Sequence, residues 1–523
     1  MVAVDSGHGG TELHVRGALL VAGTHSDVGK TAITAGLCRW LAREGVRVAP
    51  FKAQNMALNS MVTAEGAEIG RAQAMQAAAA RIAPTHLMNP VLLKPASDQR
   101  SQVIVLGKPW RDADARTYQQ LKAELLDVVL DSLATLRASY DVVICEGAGS
   151  PAEINLRAGD ITNMGLARAA DLPVLIVGDI DRGGVFASLL GTLALLDPAD
   201  QRHIAGYVIN KFRGDHSILK PGLDWLSELT GRPCAGVLPW LPGAWPDGED
   251  SMRLEQSQPW TGRDAVDQAL RIAVIHFPRL SNYTDVDPLA CEPGVLVRLA
   301  KQPDDIADAD LVILPGTRAT VHDLQWLRDR GLAEAVRRRA SQGRPVIGIC
   351  GGYQMLGRRI ADGVENEMAE APGLGLLPVT TQFIRSKTLR QSSGSVRGMP
   401  VHGYEIRHGQ VQADGGEPLI IAEDGSGEGC VAGPVSGTSW HGIFENDAFR
   451  RAFLTQVASQ AGRRWAPGEV CFAQVRDNWL DALGDLVAEG LDTALVRQLI
   501  SGGVPDGLPS LQVSRAAARR ADQ

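Results

Sequence analysis

Short runs of consecutive apolar residues alternate along this chain with stretches whose apolar residues recur at helical spacing. Ala18–Ala22, Val142–Cys145 and Val174–Val177 are such runs, while Ile33, Leu37 and Leu41 show the helical recurrence. A run that is apolar throughout predicts a strand covered on both faces, and its alternation with helices predicts a parallel α/β sheet. Val46–Phe51 and Tyr207–Ile209 extend this first series; Ile272–His276, Leu311–Leu314 and Val346–Ile349 form a second. In the first series each run closes on a glycine-rich or polar turn, where sheets of this kind place their ligands.

Between the two series, Leu241–Asp267 is rich in proline, glycine and charge and has no period, the mark of a linker. The chain is therefore expected to divide into an extension over 1–16, an α/β domain over 17–240, a linker over 241–267, a second α/β domain over 268–462 and a C-terminal helical segment and tail over 463–523. An amphipathic helix is predicted near Asn478–Ile500. A length of 523 residues is too great for one ordinary domain, in keeping with this division.

Composition changes the picture only modestly. Hydrophobic content of 45% and charged content of 21% belong to a globular chain with ample core. A formal net charge of -8 weighs against nucleic acid or an anionic membrane as the main partner. The seven cysteines, at 38, 145, 234, 291, 350, 430 and 471, are far apart with no CxxC pair, which disfavours a disulfide framework and a zinc cluster. No apolar run approaches the roughly 18–20 residues that span a bilayer, and no signal-peptide pattern opens the chain. The expected location is cytoplasmic; oligomeric state is not legible.

The first strand runs into Gly23-Thr24-His25-Ser26-Asp27-Val28-Gly29-Lys30-Thr31. A glycine-bounded loop that opens a helix offers backbone N–H groups and a favourable dipole to phosphate oxygens. Lys30 is expected against the terminal phosphates of ATP, and the Thr31 hydroxyl on Mg²⁺. Gly23 stands one residue earlier than the common phosphate-loop spacing has it, so a variant class is expected. A Walker-type acid belongs at the tip of another strand, and Glu146, just after Val142–Cys145, is placed for it. Asp179 and Asp181 are further candidates. Asn210, at the end of the strand through Ile209, is placed to hydrogen-bond a purine.

In the second series, Val346–Ile349 ends in Cys350-Gly351-Gly352 and a helix follows. This is a nucleophile elbow: it lifts the sulfur above the sheet and turns the Gly351 N–H toward an oxyanion. A second oxyanion donor is expected from the Pro315-Gly316-Thr317 turn, near Gly316. A cysteine nucleophile needs a base, which is sought in His441, with His402 as the rival.

Both halves together resemble the cobyric acid synthase family of glutamine-hydrolysing amide ligases, over roughly Ala18 to Leu499. The resemblance rests on GTHSDVGKT, PFKAQNMALNS (Pro50–Ser60), EIGRAQAMQA (Glu68–Ala77), MNPVLLKP (Met88–Pro95), EGAGSPAEINL (Glu146–Leu156), DIDRGGVFAS (Asp179–Ser188), INKFRGD (Ile209–Asp215), SNYTDVDPL (Ser281–Leu289), GICGGYQMLG and HGIFEND (His441–Asp447). The first half is also similar to dethiobiotin synthetase. The resemblance implies a P-loop NTPase-type parallel-sheet domain followed by a flavodoxin-like class I glutaminase domain. It also implies MgATP, L-glutamine and a corrinoid, adenosylcobyrinic acid a,c-diamide, amidated at its b, d, e and g side chains through acyl phosphates. By the same carry-over Glu68 is a further metal contact, Lys52, Gln54 and Asn55 face substrate or phosphate, and Asn210 reads adenine.

Two departures stand out. His441 lacks the His-x-Glu that orients the base in many related glutaminases, a lack the family shares; and Arg318-Ala319 stand where Lys-Asn is usual. The nearest competing reading is cobyrinic acid a,c-diamide synthase, disfavoured by Gln54-Asn55-Met56. CTP synthase, with its longer synthetase domain and His-x-Glu, fits less well. From a different class, a P-loop ATPase switch with a non-catalytic glutaminase-like domain is disfavoured by the Cys350 elbow.

Overall fold

The computed structural model describes residues 15–96, 99–241, 269–364 and 370–511. The chain forms two compact units that each draw on separated stretches of sequence. The first takes in residues up to Phe51, Leu133–Trp240 and the chain from Leu483; the second takes in Lys52–Ser132 and Leu241–Ala482.

The first unit is built on a six-stranded sheet in the order Cys234–Pro239, Ile204–Phe212, Val174–Asp179, Gly17–Gly23, Val142–Glu146, Val48–Phe51. Every pairing is parallel. Leu19, Leu20 and Val21 of the central strand are fully buried, as continuous apolarity requires; each contributes roughly 1.5–3 kcal/mol of burial. The helix Lys30–Arg43 covers this sheet with Ile33, Leu37 and Leu41 inward. A Cβ at Gly36 would lie 2.5 Å from the Leu483 carbonyl oxygen, so the C-terminal segment approaches that helix at backbone range.

The second unit has a sheet in the order Val295–Ala300, Leu270–Ile275, Leu311–Leu314, Val346–Ile349, Val435–Thr438, Cys430–Ala432, parallel except for the last, antiparallel pair. Beside it runs a long antiparallel hairpin, Val379–Val396 with Met399–Ala413. Residues 52–132 bring this unit a four-stranded sheet (Gln54–Met56, Val91–Pro95, Arg100–Val105, Lys108–Asp114) and the short pair Ser60–Val62 and Glu68–Gly70.

The strand expectations match to within a few residues. The compact units, however, cut across the linear division at 240 and 268, because groups in 52–132 bond to partners hundreds of residues away: the Ser60 backbone amide donates to Asn282 Oδ1 at 2.9 Å, and the Arg71 side chain pairs with Glu445 at 2.7 Å. The single helix expected near Asn478–Ile500 is two, Phe472–Gly490 and Thr493–Gly502. Gly490 ends the first, and the Asp492 carboxylate caps the second by accepting from the Leu495 amide at 3.0 Å. The linker from residue 242 on, the extension up to residue 14 and the tail from 512 lie outside the described residues. Among the described residues no helix is long and apolar enough to cross a membrane.

Candidate active site

In the first unit the loop between Gly17–Gly23 and the helix at Lys30 is drawn tight by its own side chains. Lys30 Nζ donates to the carbonyls of His25 (3.0 Å) and Gly149 (3.3 Å). The latter belongs to the glycine turn after Glu146, so the ammonium ties together the two strand ends that parallel pairing brings side by side. Thr31 Oγ1 donates to Glu146 Oε1 at 2.8 Å. Gly29 has φ 101°, and a Cβ there would lie 2.2 Å from Asn210 Nδ2. That nitrogen donates to the Val28 carbonyl at 2.7 Å, so Asn210 braces the loop through its amide. Asp27 also holds a left-handed backbone, φ 62°, and its carbonyl accepts from Lys211 Nζ at 2.7 Å. Asp179, one of the further candidates, is paired with Lys211 at 2.7 Å. Thr24 and Gly23 complete the loop after the strand.

Thr31 and Glu146 place a hydroxyl and a carboxylate within one hydrogen bond of each other, a donor set of hard oxygens. Among the described residues no cluster of three or more His, Cys, Asp or Glu could cage a metal. Two protein oxygens, with the rest of the shell left to phosphate and water, is the set that suits Mg²⁺.

In the second unit the chain turns at Cys350 with φ 49° and ψ −109°. Two contacts enforce this unusual backbone: the Cys350 amide donates to the Thr438 carbonyl at 2.8 Å, and the Gly352 amide to Pro315 at 3.1 Å. A Cβ at Gly352 would stand 1.9 Å from the Leu314 carbonyl oxygen, so no other residue fits there. Gly351 packs on the Pro315-Gly316-Thr317 turn, with Thr317 N 3.1 Å from where its Cβ would be. Gly351 and Thr317 line the cavity that holds Cys350, while Gly316 backs onto the His441 ring.

His441 lines the same cavity as Cys350. Its Nδ1 bonds Asp285 Oδ2 at 2.7 Å, and the other oxygen of Asp285 accepts from the Gly442 amide at 2.7 Å. Burial alone would pull the imidazole down, but Asp285 and Cys350 outweigh it and push His441 up to about 10. Tyr404 stacks on the ring, centroids 5.4 Å apart, and exchanges two backbone hydrogen bonds with His441. His402, the rival base, is exposed and bonds Ser393 Oγ at 3.0 Å. Asp285 therefore fills the orienting place that the missing His-x-Glu left open. It lies inside SNYTDVDPL, but a separation of 156 residues from His441 hides the pairing from any spacing rule.

The residues assigned by carry-over from 52–68 fall in the second unit. The Glu68 carboxylate, expected on a metal, is completely buried and held by Lys94 at 2.6 Å and Lys387 at 2.5 Å. Burial opposes its charge, yet the two ammonium groups hold it far below the usual carboxylate range. Its surroundings are those of a carboxylate already neutralised and give a metal role no support. Gln54 accepts from Tyr118 Oη at 2.5 Å, Asn55 donates to Gln73 at 2.9 Å, and Lys52 is buried beside Asn89, whose amide donates to its carbonyl at 3.2 Å.

Two family models match the chain: the CobQ/CobB/MinD/ParA nucleotide binding domain over residues 19–249, and the CobB/CobQ-like glutamine amidotransferase domain over 271–449. Cobyric acid synthase from Frankia casuarinae is 58% identical over 514 residues, covering 94% of this chain and 98% of that protein. Cobyric acid synthase from Streptomyces coelicolor is 57% identical over 503 residues, covering 95% and 98%. Among solved structures, a crystal structure of a glutamine amidotransferase covers 36% of this chain and 98% of its own, with a TM-score of 0.31 at 19% identity. With near-complete coverage at this identity and both domain models in order, the chain belongs to the cobyric acid synthase family.

Proposed function

We propose that this chain uses ATP and glutamine-derived ammonia to amidate the b, d, e and g carboxylates of adenosylcobyrinic acid a,c-diamide. The observation that carries the reading is the Cys350–His441–Asp285 array in a chain that also has a phosphate loop with Thr31 against Glu146.

In the glutaminase half-reaction Cys350 Sγ attacks the side-chain amide carbon of glutamine beside a His441 that already carries its second proton. Asp285 holds the Nδ1–H, which fixes the tautomer and stabilises the imidazolium. The oxyanion is met by the Gly351 N–H and a donor from the Gly316–Thr317 turn. Collapse of the adduct moves the His441 proton to the leaving nitrogen and gives ammonia and a thioester. Water then cleaves the thioester to glutamate.

In the synthetase half-reaction a corrinoid carboxylate oxygen attacks the γ-phosphorus of ATP, giving acyl phosphate and ADP. Ammonia displaces phosphate to give the amide. Thr31 and Glu146 would hold Mg²⁺, which neutralises phosphate charge when bound. Lys30 and the N–H groups of the loop steady the γ-phosphoryl. Asn210, anchored by its nitrogen, retains its oxygen as an acceptor for an adenine amino group. Lys52, Gln54 and Asn55 are assigned to the substrate side. Mass spectrometry of the corrinoid after incubation with glutamine and MgATP tests the reading. Four successive hydroxyl-to-amine mass steps support it; two steps on cobyrinic acid, and none on the a,c-diamide, would replace it with the diamide synthase.

A further inference from the structure

The cavity at Cys350 carries four cationic side chains, Lys94, Arg318, Lys387 and Arg407, and no aspartate or glutamate among its described lining residues. Arg407 pairs with Glu405 at 2.6 Å, a carboxylate it shares with the solvent-exposed Arg390. Lys94 and Lys387 share one carboxylate, Glu68, so that group of three keeps a positive charge although all three are buried. Lys94 spends one proton on Glu68 and one on Ser60 Oγ at 2.8 Å; Lys387 spends one on Glu68 and reaches Gln102 at 3.5 Å. Each ammonium keeps a proton for the cavity it lines. The field is felt nearby: burial, reinforced by Lys387 and Arg318, pulls His408 down to about 4 and keeps it neutral.

A buried excess cation is costly unless an anion completes it. The ligand of this cavity, on the reading of Cys350 as glutaminase nucleophile, brings one carboxylate a few bonds from the amide under attack. We propose that Lys94 and Lys387 form the subsite for the α-carboxylate of glutamine, with Glu68 as the residue that positions both. Lys94 and Glu68 come from the stretch matched by the nucleotide-binding family model, so that stretch helps choose the nitrogen donor.

The test compares L-glutamine with 4-aminobutanamide, which is glutamine with hydrogen in place of the α-carboxylate, on the full chain. Lys387→Met and Lys94→Met are each expected to raise KM for glutamine about 10–100-fold, the worth of one charge-assisted hydrogen bond. Their kcat for glutamine and their kcat/KM for 4-aminobutanamide are expected to stay within about threefold of the parent. Lys387→Arg should recover most of the loss. Glu68→Gln should show the same split in KM at smaller size. Equal losses on both substrates, or an unchanged KM, would overturn the assignment. Calorimetric binding of glutamine to Cys350→Ala, with and without Lys387→Met, reads the subsite without turnover: binding weakened about tenfold or more supports it, and equal binding ends it. If ammonia release survives Cys350→Ala, the nucleophile reading fails while that binding comparison still judges the lysines.

Discussion

The phosphate loop and the cysteine elbow are built alike: an apolar parallel strand, a tight turn in left-handed backbone, then a helix. They differ in which residue occupies the turn. At the phosphate loop the residue at the helix start is Gly29, φ 101°, which adopts that backbone without strain; Asp27, two residues earlier, is also left-handed at φ 62°, a region Asp tolerates. At the elbow it is Cys350, φ 49° and ψ −109°, in a conformation that costs a side-chain-bearing residue on the order of 1–3 kcal/mol. The difference follows from the chemistry. Phosphate is held by backbone N–H groups, so the turn can do without a side chain. A nucleophile is a side chain, so the strain must be borne there, and Thr438, Pro315 and the glycines behind it hold the backbone in place.

The sharpest way to break this comparison is Cys350→Ala. Glutamine hydrolysis should fall by about 10³-fold or more, while amide formation from ammonium chloride and MgATP persists. Retention of glutamine-driven activity would remove the elbow from the chemistry. Next in size is Asp285→Asn, expected to lower glutaminase kcat by about 10–100-fold. It should also move the alkaline limb. His441 is raised to about 10, above its ordinary value near 6.5, so the proton it shares with Asp285 stabilises the fold fully below pH 6.5. That contribution is lost as pH rises through about 10. The limb of the pH–rate profile should therefore shift to lower pH in the variant, and its thermal stability at neutral pH should drop.

An effect no larger is expected on the phosphate side. Gly29→Ala adds a Cβ 2.2 Å from Asn210 Nδ2 in a left-handed backbone, so the Asn210–Val28 bond must give. ATP affinity should fall roughly 10–100-fold by titration, and more than in Asn210→Ala. The smallest effect sharpens the contrast most. Cys350→Gly should melt above Cys350→Ala, by an amount equivalent to about 1 kcal/mol, because it releases the strain that the cysteine carries.

Much of this was legible because it is local. Leu311–Leu314 and Val346–Ile349 are read from apolarity alone and match the observed strands residue for residue. The Lys30–Thr31 and Cys350–Gly351 turns follow from residue order. What escaped is non-local. Asp285 meets His441, and Lys387 meets Glu68 across 319 residues, through the folding of whole units, and no periodicity encodes such a meeting. The metal role expected of Glu68 rests on the resemblance alone, and its two lysine partners, one of them 319 residues away, are not encoded in any spacing. The long hairpin was missed since its exposed half is polar on both faces, leaving Val379–Val396 without the alternation that betrays a strand.

The membership of residues 52–132 in the second unit bears on how this enzyme can be taken apart. A cut anywhere in 242–268 looks like a clean seam on the family models, which end and begin around it. It would nonetheless strand Lys94, Glu68 and Arg71 on a different polypeptide from Lys387 and Glu445. The two activities are thus interleaved rather than concatenated. A transplanted glutaminase must take that inserted stretch with it, and recombination between family members at the apparent seam would exchange half of a cavity wall.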